Sequence, residues 1–138
     1  MDALAQPPAD LRNLQARRDD TRLLVQQHRD LAARLTQVHA ARQQGNPRME
    51  TPVPLGMGFE AEGVVSDTSR VILAAGIDDL FLDLELDQAL EFVDKRTAIL
   101  DRKLKALDEH VARLEKKHKM VVKTLRTAFQ LPDDEPKA

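Results

Sequence analysis

The chain has 138 residues, no Cys, Trp or Tyr, and a net charge of −2, which suits one domain and excludes disulfide or thiolate chemistry. Charged residues make up 32% and aromatic residues only 3%, a balance that fits long helices better than a ring-filled globular core. The charge is segregated: residues 1–48 carry eight Arg against five Asp, residues 49–94 eleven acids against Arg70 alone, and residues 95–138 twelve bases against seven acids.

The opening MDALAQPPAD has neither a basic flank nor an apolar core, so it does not read as a secretory signal. The longest apolar run, VILAAGI at 71–77, is too short to span a bilayer, and a soluble chain without a membrane partner is expected, cytoplasmic and in part nuclear. A single domain over 1–138 is predicted. Its first helix occupies 10–45, with Asp10 as N-cap and Gly45, Asn46 and Pro47 as the stop. Leu24, Leu31 and Val38 recur every seven residues, and Thr21, His28 and Leu35 lie three before each, which describes an a/d seam with polar interruptions.

Residues 52–85 change period. Val53, Leu55, Met57, Phe59, Ala61, Gly63 and Val65 alternate with mostly polar or small neighbours, the mark of extended chain with one apolar face. Gly56 and Gly58 mark a bend, SDTS at 66–69 a turn, RVILAAG a second strand, GIDD at 76–79 another turn, and LFLDLEL a third extended run. Two β-hairpins in sequence follow. From Leu86 the heptad resumes through Leu90, Val93, Thr97, Leu100, Leu104, Leu107, Val111, Leu114, His118, Val121, Leu125 and Ala128, predicting a second helix over 86–130 and a loose tail at 131–138. At about 1.5 Å per residue that helix is a rod on the order of 65 Å long.

The fold class is therefore mostly α with a small β part, an antiparallel two-helix coiled coil joined by two β-hairpins. Reversing a chain between two helices takes only a few residues. Thirty-odd residues of strand with open edges are marginal alone, so the insert is expected to be an assembly element that pairs with other subunits. The residues expected to carry it are Val53, Leu55, Met57, Phe59, Val65, Val71, Leu73, Leu80 and Leu82. Near the free helix ends, Leu11, Leu14, Met120, Val122, Leu125 and Phe129 are more apolar than a two-helix seam requires. With the adaptable side chain of Met120 among them, they are the expected client-binding tips.

The order of these elements resembles the prefoldin α-type subunit family from about residue 11 to about residue 130. The motifs that carry it are Pro54-Leu55-Gly56 opening a strand, Val65-Ser66-Asp67-Thr68-Ser69-Arg70-Val71, Gly76, and Gln88-Ala89-Leu90-Glu91-Phe92 entering the second helix. Glu85 stands where a Thr N-cap is common, and Glu caps less well. The resemblance implies a non-enzymatic co-chaperone subunit of a hexameric prefoldin or prefoldin-like, URI-type complex. In it, hairpins of α- and β-class subunits join into a barrel base and the tips hold unfolded or partly assembled client proteins without ATP. It also implies partners such as RNA polymerase assembly factors with RuvB-related ATPases or, for ordinary prefoldin, actin, tubulin and their chaperonin. A coiled-coil transcription coregulator in the nucleus is the alternative.

Other chemistry is not supported. In GMGFEAEG the third Gly is misplaced for a dinucleotide fingerprint and strand follows rather than helix. His28, His39, His110 and His118 have no metal-ligand spacing, so no metal and no cofactor is expected. The basic stretch RLEKKHKMVVKTLR lacks the aromatics that stack bases, which argues against nucleic acid.

Overall fold

The computed structural model describes residues 6–132. The element order is α1 (Ala9–Gln43), β1 (Met49–Gly56), β2 (Phe59–Val65), β3 (Arg70–Ala74), β4 (Phe81–Glu85) and α2 (Leu86–Ala128). The strands form two separate antiparallel sheets, β1–β2 and β3–β4. The predicted tail beyond Pro132 lies outside the described residues.

Helix α1 begins one residue before the expected cap. The Pro8 carbonyl accepts from Arg12 N–H at 3.1 Å, so Pro8 holds the cap position, and Asp10 sits in the first turn, where its charge favours the helix dipole. Its far end is a Schellman motif: Asn46 N–H donates to the Ala41 carbonyl and Gly45 N–H to that of Arg42, with Gly45 at φ +86°. Glu85, just before α2, holds the cap position; its weak capping side chain is offset by Gln88, whose amide oxygen accepts the Glu85 backbone N–H at 3.4 Å.

The chain divides into two compact units. One is Val25–Ile99. Its core is Leu35 of α1, Leu73 of β3, and Leu86, Ala89 and Val93 of α2, flanked by Leu31, Val38, Val71, Leu84, Leu90 and Phe92. The second hairpin thus packs its inner face on both helices. The other unit joins the chain up to Leu24 with the chain from Leu100 onward. There Leu11, Thr21, Leu107 and Val111 are buried. Gln15 Nε2 donates to Glu115 Oε1 at 2.8 Å and Arg22 Nη2 to Asp108 at 3.1 Å. These pairs fix the two helical stretches as antiparallel.

The α2 seam runs as the heptad predicts from Leu86 to His118, and then shifts: Val121 is exposed and Val122 half-buried. In α1 the interior residue is Val25, not Leu24. In α1 the covered positions Leu11, Arg18, Val25, Ala32 and His39 still repeat every seven residues, one position after the expected Leu24 series. In α2 the second step of four in succession, from His118 to Val122, is the adjustment that a helix of 3.6 residues per turn makes against a strict seven-residue repeat, which drifts about 20° per heptad.

Candidate functional site

The first hairpin turns at Met57-Gly58. Both residues have positive φ, +53° and +80°, as a two-residue type I′ turn requires. Met57 is therefore not a strand residue; it stands at the tip, 98% exposed. The register pairs Met49 with Val65, Thr51 with Gly63 and Val53 with Ala61, and slips between Pro54 and Gly56, so Leu55 falls in the irregularity. Opposed residues share a face. Met49, Val53, Ala61 and Val65 thus form one apolar face, with Phe59 in phase, as the period of two predicts. The other face carries Glu50, Glu60 and Glu62. Met49, Val53, Leu55, Phe59, Val64 and Val65 are all exposed large apolar residues, so nothing within the described residues covers this hairpin.

The second hairpin differs. Its register sets Val71 against Leu84 and Leu73 against Leu82. This is the face turned to the helices: Leu73 is buried, and Val71, Leu82 and Leu84 are half-buried. Leu73 therefore belongs to the chain's own core, with Val71 packed against it, which corrects the expectation that Leu73 presents itself to another subunit; Leu82 is half-buried outside that core. The exposed large apolar residues on these strands are Ile72 and Phe81, in the opposite phase, and the loop between them exposes Ile77 and the expected Leu80. Leu80 precedes β4: its carbonyl accepts Ala75 N–H, and its own N–H donates to Ile77. The sequence held the signal for Ile72 and Phe81. β3 is apolar in both phases, but on β4 the phase of Phe81 also carries Asp83 and Glu85, and the register sets Ile72 against Asp83 and Ala74 against Phe81 on that outward face.

The Asp67-Thr68-Ser69 segment between the hairpins is an anchor. Thr68 is buried; its N–H and its Oγ1 both donate to the Pro47 carbonyl, at 3.1 and 2.9 Å. Asp67 closes an Asx turn by accepting Ser69 N–H at 3.0 Å, and it accepts from Arg42 Nη1 at 2.7 Å. The Ser69 hydrogen bonds, first backbone and then side chain, and the Arg42 guanidinium hold the Asp67 carboxyl below its ordinary value. The segment is thereby tied to the end of α1. Nearby, His39 Nε2 lies 2.8 Å from Asp87, and Arg70 lies 3.0 Å from Asp83. These contacts brace the lining of an open cleft. Among the described residues no group of His, Cys, Asp or Glu could hold a metal, and no helix is long and apolar enough to cross a membrane.

The helix-end unit places the expected tip residues unevenly. Leu11 is 2% exposed and belongs to the interior, which corrects its reading as a gripping residue. Leu14, Val122 and Leu125 are half-buried, while Met120 and Phe129 are well exposed, joined by Val121. Met120 lines a shallow cleft with Lys116, Lys119 and Lys123, so the apolar surface there has a basic rim. Gln130, at φ +53°, ends α2 in a second Schellman arrangement, with Leu131 N–H on the Arg126 carbonyl.

The family described as "Prefoldin subunit" matches residues 9–131. The chain belongs to the prefoldin family. Protein UXT of Bos taurus and of Homo sapiens are each 44% identical over 48 residues, 35% of this chain and 30% of the relative. The chain thus matches under a third of the length of these curated relatives. The fold agrees with a chain of filamentous prefoldin from Methanocaldococcus jannaschii, solved by cryo-electron microscopy. That match has TM-score 0.50 and 20% identity, and covers 82% of this chain and 95% of the other. Two helices and two small hairpins in this order are the prefoldin α-type arrangement, with a likeness to UXT.

Proposed function

We propose that the chain is a non-enzymatic subunit of a hexameric prefoldin-like assembly that holds unfolded or partly assembled proteins. The observation that carries it is the first hairpin. Its apolar face, with Met49, Val53, Phe59 and Val65, is uncovered in a chain whose family assembles with other prefoldin subunits. A solitary two-stranded ribbon is marginal in water and gains stability from added strands. The outer residues Ile72 and Phe81 extend the same logic to the second hairpin. The client surface is the exposed set Met120, Val121 and Phe129, with Val122, Leu125 and Leu14 behind it. Flexible Met beside apolar groups suits varied, non-native partners.

Co-purification of the tagged chain from its own cells, with the associated proteins sequenced, tests this reading. Other prefoldin subunits in a complex several times the mass of one chain are expected. A URI-type subunit with RNA polymerase components would place the chain in a prefoldin-like assembly; chaperonin with actin or tubulin would place it in ordinary prefoldin. A single chain that sediments alone at all concentrations refutes the proposal. The triple change Met120→Ser, Val121→Ser and Phe129→Ser should abolish suppression of client aggregation and leave the complex intact. Suppression that survives it refutes the tip assignment and favours a coregulator scaffold.

A further inference from the structure

The last part of α2 carries a one-sided charge that the fold does not use. From Leu86 to Glu109 the helix holds six acids and five bases, and pairs form along it, as Lys95 does with Glu91 at 2.6 Å. From His110 to Leu131 the chain has six bases and a single acid, Glu115. That acid already accepts the Gln15 amide at 2.8 Å. Lys116, Lys119 and Lys123 are exposed and make no ion pair among the described residues. At 3.6 residues per turn the three recur on one stripe of the helix, in line with Ala112 and beside Met120. They line a shallow cleft of about 350 Å³ together with Ala112, Glu115 and Met120. Met120 is 61% exposed and lies on the side of α2 opposite Val111, Leu114, Val122 and Leu125, so the contact with α1 leaves it bare.

We propose that this face of α2 binds an acidic segment of a partner protein, one that carries an apolar side chain among its carboxylates. The inference rests on the client-holding reading above and adds the class of segment held. Lys116, Lys119 and Lys123 span about two helical turns, roughly 10 Å at 1.5 Å per residue. Asp or Glu repeated every three or four residues along a helical segment has the same spacing. Met120, unbranched and polarizable, adapts to the apolar group that lies between those carboxylates. Charge selects this occupant. A segment rich in Lys or Arg is repelled, and a neutral one leaves three ammonium groups without counter-charge. A membrane surface would need more than one large apolar side chain on this face, and a nucleic acid finds no aromatic ring in the cleft on which to stack. Each exposed pair is weak alone, so the preference comes from three acting together and fades as salt screens them.

The test is fluorescence anisotropy of a labelled peptide of about four helical turns, titrated with the tagged chain purified in its native complex. One peptide places Glu at every third or fourth position around a central Leu; a second has Gln in place of each Glu, and a third has Lys. The Glu peptide should bind roughly ten-fold more tightly than the Gln peptide at low salt, with the gap closing as salt rises, and the Lys peptide should bind weakest. Lys116→Gln with Lys119→Gln and Lys123→Gln should bring the Glu peptide down to the affinity of the Gln peptide. Met120→Ser should weaken both and leave their ratio unchanged. Circular dichroism and the mass of the complex check that each variant folds and assembles. Equal affinity for the Glu and Gln peptides, or a preference that survives loss of the three lysines, overturns the proposal. Capture of phosphatidylserine vesicles or of RNA by these lysines, with no preference for the Glu peptide, overturns it in favour of that ligand. A roughly ten-fold gain in affinity on removing residues 133–138 assigns the face to the chain's own Asp133, Asp134 and Glu135 and overturns the partner. Failure of the client reading shows elsewhere, as undiminished suppression of aggregation by the Met120, Val121 and Phe129 triple variant; failure of the charge inference shows in the peptide ratio.

Discussion

Replacing Leu73 by Ala, with Ile72→Ala as its neighbour on the same strand, tests the orientation of the second hairpin. Leu73 is 7% exposed and packs with Leu35, Leu86, Ala89 and Val93, whereas Ile72 is 70% exposed. Truncating a buried Leu removes three carbons, worth about 0.8 kcal/mol each in transfer, or about 2.4 kcal/mol. The cavity left behind raises the cost, and such changes span about 2–5 kcal/mol. The half-buried neighbours Val71 and Leu84 can relax into part of the space, so about 3 kcal/mol is expected. Ile72 keeps less than a third of that burial, so its truncation should cost about 1 kcal/mol or less, including lost strand preference. Without Trp or Tyr the chain offers no convenient fluorescence, so urea unfolding is followed by circular dichroism of the helices. Unchanged slopes would assign the difference to stability alone. Each variant is measured at two protein concentrations, because a cost that arises within the chain does not depend on concentration and one that arises between chains does. A concentration-independent penalty for Ile72→Ala equal to that for Leu73→Ala would refute the inward face assigned to β3.

Three further outcomes are expected. Gly76 has φ +77°, a left-handed backbone that a Cβ disfavours, while the Arg96 guanidinium beside it ends a flexible side chain that can swing aside, so Gly76→Ala should cost about 1–2 kcal/mol in urea unfolding. Gln130 holds a left-handed cap, so Gln130→Gly should slow amide exchange in the last turn of α2 and stabilise it by about 0.5–1 kcal/mol. The Asp67 carboxyl titrates below 3.8 in the folded chain. Its contribution is therefore complete above that value and is lost as pH falls through the lower folded value, and Asp67→Asn should flatten the acid limb of the stability profile below about pH 4.

What was legible followed from periodicity. The α2 seam from Leu86 to His118 reads straight off the sequence because apolar residues alternate with charged ones and leave one face. Leu24 and Val25 could not be ranked that way. Both are apolar, and a seven-residue series runs through each, Leu24, Leu31 and Val38 or Val25, Ala32 and His39; the more apolar series is not the one whose first member is buried. Gly56 and Gly58 marked the bend, but the alternation through Met57 hid that Met57 itself stands in the turn, since a two-residue loop does not disturb a period of two. Leu11 looked like surplus apolar surface because the helix beside it, on which Glu115 meets Gln15, is a hundred or more positions away in the sequence. The anchor at Thr68 was equally hidden. Its acceptor is the carbonyl of Pro47, and a backbone acceptor leaves no mark on the sequence.

Pro52 and Pro54 leave β1 two donors short. A strand added along that side is held by fewer hydrogen bonds than one added along β2, so the ribbon is biased rather than closed. Each addition to a ribbon with two equal edges leaves a fresh edge for the next, and growth has no natural end. Two imino acids in eight residues thus handicap one side of that growth without forbidding it.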